Sequence, residues 1–110
     1  MNKVRIGIIC PSEIAFRRFL PSLAKNQFFE YVGVAIATSY EWAGQDSLIK
    51  DYTNVIYNEK KKALKFRDAF GGAIFNSYQE LIQSKEVDAV YLPLPPALHY
   101  KWAKLVLENK

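Results

Sequence analysis

The chain alternates short unbroken apolar blocks with longer stretches in which apolar positions recur every three or four residues. Lys3 to Ile9 (KVRIGII) is rich in β-branched residues and is closed by Pro11 and Ser12, the pattern of a strand buried on both faces. A helix is expected from about Glu13, because Ala15, Phe19 and Leu23 fall at i, i+4 and i+8. Pro21 lies inside that helix, lacks an N–H and crowds the carbonyl of Arg17, so the spacing predicts a kink. Tyr31 to Ala37 (YVGVAIA) reads as a second buried strand.

From Ser39 onward no clean period appears until Tyr57. A helix is expected from there through Phe70, with Ala63, Phe66 and Phe70 on one side, and Gly71–Gly72 stops it. Ala73 to Phe75 reads as a short strand, and Ser77 with Glu80 has the spacing of a capping box at the start of a helix. Val87 to Leu92 is the third strong strand. Pro96 suits the first turn of a closing helix, whose inner face Ala103, Val106 and Leu107 would continue.

Strands alternating with helices imply an α/β fold, a doubly wound parallel sheet covered on both faces. Ligands of such sheets sit beyond the carboxyl ends of the strands, where the strand order switches. Those ends are Cys10 to Ser12, Ile36 to Ser39, and Leu92 to Pro96.

Composition adds limits. The 110 residues favour a single domain, half of them apolar and 24% charged, as in ordinary globular chains. Cys10 is the only cysteine and His99 the only histidine, so neither an internal disulfide nor a zinc cluster is available, and a cytoplasmic location is expected. The apolar run from Ile6 to Cys10 is too short for a signal-peptide core or a membrane span. The net charge of +4 comes partly from Lys60, Lys61, Lys62 and Lys65, which read as a solvated helix face. The other basic residues are interspersed with acidic ones, so no nucleic-acid partner is expected.

Taken together, KVRIGIICPSEIAFRRFLPSL and SYQELIQSKEVDAVYLPLPPALHYKWAKLVLENK resemble the N-terminal Rossmann domain of the Gfo/Idh/MocA oxidoreductases, the glucose-fructose oxidoreductase and inositol dehydrogenase family. DAVYLPLPPALHYKWA is the most specific part; in the family it forms the strand and loop beneath the nicotinamide ring. The resemblance spans nearly the whole chain and is weakest over residues 39–58, which look like an insertion. It implies NAD or NADP as cofactor and hydride transfer at a sugar, cyclitol or related hydroxyl carbon. It also implies a second, substrate-binding α/β domain and a Glu-Lys-Pro motif with a catalytic lysine beyond Lys110, so no catalytic residue is expected in residues 1–110. Apolar surface where that domain would dock can drive association into a homo-oligomer.

The resemblance also assigns candidate cofactor contacts. Cys10, Pro11, Ser12, Glu13 and Ile14 occupy the phosphate loop, with Cys10 and Ser12 where the family carries glycines. Such glycines let the backbone approach a pyrophosphate. Ser12 can instead cap the helix, and the loop reads either as a modified phosphate site or as a tight turn that binds nothing. The ribose position at the end of the second strand falls on Ile36, followed by Ala37 and Thr38, and offers neither a carboxylate for NAD nor an arginine for NADP. Thr38 and Ser39 can donate to a ribose or a 2′-phosphate, or cap the next segment. Leu92, Leu94 and Pro95 would line the nicotinamide pocket, with His99 near its edge. The alternative from another class is a Rossmann scaffold or interaction module with a degenerate cofactor site.

Overall fold

The unbroken apolar runs are needed because both faces of the strands are covered. The computed structural model describes residues 3–38, 41, 53–94 and 96–110, without the side chains of 53–55 and 96–98. Among these, β1 (Val4–Ile9), β2 (Phe29–Ala35), β3 (Ala73–Phe75) and β4 (Ala89–Tyr91) form one parallel sheet in the order β3-β2-β1-β4. A π-helical turn, Ala15–Phe19, runs into α1 (Leu20–Ala24), followed by α2 (Thr53–Phe70), α3 (Tyr78–Gln83) and α4 (Pro96–Asn109).

Alternation along the two central strands builds two cores. Ile6, Ile8, Val34 and Ile36 join Ala15, Leu20, Leu23, Ala63 and Phe66 on one face. Ile9, Ala35 and Ala37 join Tyr78, Leu81, Ile82 and Trp102 on the other. The first face is thus covered by α1 and α2, the second by α3 and α4, which is the expected double winding. Each fully buried Ile, Leu or Phe contributes roughly 1.5–3 kcal/mol. At the amino end of the sheet, Arg5 pairs bidentately with Asp88 (3.1 Å to each carboxylate oxygen), tying β1 to the start of β4. The guanidinium holds the Asp88 carboxyl at about 2, well below its usual range.

Several boundaries differ from the sequence reading. β2 starts and ends two residues early, and β4 keeps only the middle of Val87–Leu92, because Val87 turns into the second core. The long helix begins at Thr53 and takes in part of the apparent insertion; Ser39 and Trp42 lie outside the described residues. In place of a simple proline kink, Leu20 N–H bonds to the Ala15 carbonyl, five residues back, so the hydrogen-bond frame widens just before the residue that has no N–H to give. Leu107 is 82% exposed; α4 instead turns Trp102, Leu105 and Val106 inward. Ser77 caps α3 as expected, its Oγ accepting from Glu80 N–H at 3.0 Å.

Gly71, Gly72 and Gly33 are required by geometry. Gly71 closes α2 with φ +75° in the left-handed region. At Gly33 an added Cβ would run into the Ala73 carbonyl of β3. Gly33→Ala therefore lowers stability by about 1–3 kcal/mol in urea unfolding, because the neighbouring obstacle is backbone and cannot rotate away.

Candidate functional site

The carboxyl ends of β1 and β2 meet at a loop with an unusual backbone. Cys10 has φ 75°, alone among the described non-glycine residues. Its N–H donates to the Ala35 carbonyl (3.1 Å), and Ser12 N–H turns back onto the Cys10 carbonyl (2.8 Å). The position keeps the left-handed turn that the family's glycine makes easily, while bearing a side chain that opposes it. Pro11 is buried behind the turn. Ser12 then starts the helical stretch at Glu13: its Oγ accepts from Ala15 N–H (3.1 Å) and its carbonyl from Phe16 N–H (3.2 Å). The capping role is thus filled, and the hydroxyl proton remains able to donate.

A cleft of about 430 Å³ opens beside this loop, lined by Pro11, Ser12, Glu13, Phe16 and Arg17 on one side and Lys62, Lys65 and Phe66 of α2 on the other. That volume lies in the range of small-molecule and cofactor sites, about 300–1,000 Å³. Ile14, 64% exposed, points to a neighbouring groove with Arg17 and Arg18. Arg17 is engaged by Glu13 through an exposed pair at 3.4 Å.

The remaining sequence candidates divide. Ile36 and Ala37 are buried on opposite faces of the sheet, and their N–H groups donate to the Phe75 carbonyl (3.1 Å) and to Glu59 (3.3 Å). Thr38 is exposed, but its Oγ1 accepts from Glu41 N–H and its own N–H donates to Glu41 Oε1, both at 3.1 Å. Leu92 and Leu94 pack, with Cys10, against the second core. His99 is exposed on α4, and Pro95 lies outside the described residues.

Two buried acids were missed by the sequence reading. Glu41 also accepts from Tyr78 N–H (2.8 Å) and Gln79 N–H (2.9 Å), so it fills the amino end of α3. Its signal was present: Thr38-x-x-Glu41 has capping-box spacing. Glu59 reaches from α2 over the end of β2, taking a hydrogen bond from Ala37 N–H (3.3 Å) and from Tyr78 OH (3.0 Å). Burial raises its pKa, against the opposing pull of these bonds and of nearby Lys62. The Cys10 thiol is pushed up to about 11, chiefly by burial and then by Glu59, so it stays protonated and unreactive at neutral pH. Among the described residues no metal-binding group of histidine, cysteine or carboxylate ligands occurs, and no helix is long and apolar enough to cross a membrane.

Comparison with known proteins follows the same lines. The model of the Gfo/Idh/MocA oxidoreductase family, NAD-binding Rossmann fold, matches residues 5–110. The chain is 33% identical over 101 residues to the dTDP-3,4-didehydro-2,6-dideoxy-alpha-D-glucose 3-reductase of Actinomadura kijaniata, covering 92% of this chain and 24% of that protein. The enzyme of the same name from Streptomyces violaceoruber is 33% identical over 97% of this chain and 25% of its own. The crystal structure of KijD10, a 3-ketoreductase from Actinomadura kijaniata in complex with NADP, superposes with a TM-score of 0.73 at 30% identity, covering 98% of this chain and 28% of that one. An oxidoreductase from Thermotoga maritima gives 0.72 at 28% identity, covering 98% and 28%. The chain thus spans about a quarter of the length of the relatives it matches.

Two outcomes follow from the loop. Cys10→Gly is more stable than Cys10→Ala by about 1 kcal/mol in chemical denaturation, because both lose the thiol and only glycine relieves the left-handed backbone. Glu59 has a folded-state pKa above its unfolded value, so its contribution to stability is greatest at acid pH and is lost as pH rises through the folded pKa. Glu59→Gln keeps an acceptor and adds no charge, so thermal melts from pH 5 to 8 show the variant gaining on the parent as pH increases.

Proposed function

The chain belongs to the Gfo/Idh/MocA oxidoreductase family, and on that footing we propose that its loop and cleft hold NAD or NADP for hydride transfer at a carbon of a sugar-like substrate. The observation that carries this reading is the cleft of about 430 Å³ opening on Pro11, Ser12 and Glu13 at the carboxyl end of β1. In a doubly wound sheet that is where dinucleotides bind. The donor set fits the group. The first-turn N–H groups of the helical stretch, the Ser12 hydroxyl and the left-handed turn at Cys10 suit a pyrophosphate. Arg18, in the neighbouring groove, adds positive charge, while Arg17 is paired with Glu13.

A bound nicotinamide dinucleotide supplies or accepts the hydride. This chain's residues bind and orient it. Cys10 to Ile14 form the phosphate side, and the backbone of Ile36 and Ala37 with Thr38 faces the ribose. Leu92 and Leu94 wall the nicotinamide side and keep water out, with His99 at its edge. Residues 1–110 make up the cofactor-binding domain, and the substrate-binding domain lies elsewhere in the complete enzyme. Relatives named as sugar-nucleotide 3-reductases make a keto-sugar attached to a nucleotide the favoured substrate class. The cytoplasm, with its NAD(P)H pool and reduced thiols, is the compartment that suits this role.

Calorimetric titration with NADH and NADPH, with AMP as a fragment control, tests the reading. Saturable binding is expected. Ser12→Asp keeps a good helix cap and leaves stability within about 0.5 kcal/mol, but sets a carboxylate against the phosphates and lowers dinucleotide affinity at least about tenfold. No binding by the folded chain, or equal binding by the variant, overturns the phosphate-site reading and leaves the scaffold.

A further inference from the structure

Rossmann domains select their dinucleotide at the ribose next to the end of the second strand: an acidic side chain takes the 2′-hydroxyl of NAD, a cationic one the 2′-phosphate of NADP. Among the described residues the acidic device is absent in a specific way. Two of their carboxylates reach the end of β2, but both are occupied. Glu41 accepts from the N–H groups of Thr38, Tyr78 and Gln79, and Glu59 from Ala37 N–H and Tyr78 OH. Both are buried, at 6% exposure. Neither has the freedom to chelate a sugar diol.

The cationic device has moved to a different element. Lys62 lies one turn beyond Glu59 on α2 and lines the cleft that opens at the carboxyl end of β1. Lys65 follows at i+3 on the same side, and both line the cleft that opens on Ser12. Among the described residues neither lysine takes part in an ion pair, whereas Arg17 across the cleft is already matched by Glu13. The local charge is therefore an unmatched pair of ammonium groups, with the Glu59 carboxyl behind them disfavoured as an anion by its burial. Between the two walls the partly buried Phe16 lies on the buried Phe66, ring centroids 5.3 Å apart, and gives the cleft an apolar base. An apolar base beneath a cationic rim matches a nucleoside bearing a phosphate monoester.

We propose that Lys62 and Lys65 recognise the 2′-phosphate on the adenosine ribose, so that this chain selects NADP over NAD from α2 and not from the residue ending β2. The inference rests on the cofactor-site reading above and deepens it. Lysine suits the task as a point charge on a flexible stem, and the selectivity is electrostatic, so it weakens as salt screens it.

The test is a set of calorimetric titrations at low ionic strength with NADPH, NADH, 2′,5′-ADP and 5′-AMP, on the parent chain, on Lys62→Ala/Lys65→Ala and on Lys62→Arg/Lys65→Arg. Both lysines are exposed on a helix, so alanine is well tolerated there. The parent is expected to bind NADPH at least about tenfold more tightly than NADH, as charge-assisted hydrogen bonds predict, and 2′,5′-ADP more tightly than 5′-AMP. The alanine pair loses that preference because NADPH affinity falls at least about tenfold further than NADH affinity, the arginine pair retains it, and added salt shrinks it. Equal or tighter binding of NADH by the parent overturns the inference and leaves the cofactor site standing. So does a parallel loss of NADH and NADPH in the alanine pair, which would assign the lysines to the shared pyrophosphate. Failure of all four probes to bind overturns the cofactor-site reading itself, and the inference with it.

Discussion

The carboxyl edge of the sheet is organised by one buried carboxyl group. Glu59 arises on α2, which covers one face, and takes hydrogen bonds from the backbone end of β2 and from Tyr78 of α3, which covers the other. A buried acid without partners is strongly unfavourable, so the two helical layers and the strand end must keep a common geometry for Glu59 to be satisfied. Cys10 sits against the same cluster, and its left-handed turn is held from below by this network and by the bond to Ala35. The shape of the loop is thus a property of the packing beneath it. Strain of this kind persists when the surroundings over-determine it.

The same network sets the character of the cleft. Glu41 and Glu59 turn their carboxyl groups inward to cap α3 and to hold Tyr78, which removes negative charge from the surface of the site. What faces the cleft is a helix start, a serine hydroxyl, the paired Glu13 and Arg17, and the ammonium groups of Lys62 and Lys65. That combination suits an anionic ligand. The side chain of Cys10 packs against the second core and does not line the cleft.

Much of the fold is legible in residue order. β1 and β2 announce themselves as unbroken apolar runs because both faces are buried, and the Gly71–Gly72 stop and the Ser77 cap each rest on local chemistry that tertiary structure does not alter. The errors lie where packing intervenes. Leu107 continues a plausible stripe, yet α4 packs Trp102 against Tyr78, an edge-to-face ring contact at 5.3 Å, and Leu107 turns to solvent. Glu59 occupies the stripe shared with Ala63, Phe66 and Phe70, but a charged residue beside three lysines reads as surface. Its burial depends on Tyr78, nineteen positions away in sequence.

The sequence by itself determined the alternation of strands and helices, the loop at Cys10–Ser12, the family and the absence of a free acidic residue at Ile36, because these follow from local periodicity and short motifs. Only the tertiary structure decided that Cys10 takes the left-handed turn, that two distant glutamates are consumed internally, and that Lys62 and Lys65 face Ser12 across a cleft. Those facts depend on how α2 and α3 dock on opposite faces of one sheet, and side-chain contacts between elements far apart in the chain leave no periodic trace in the order of residues.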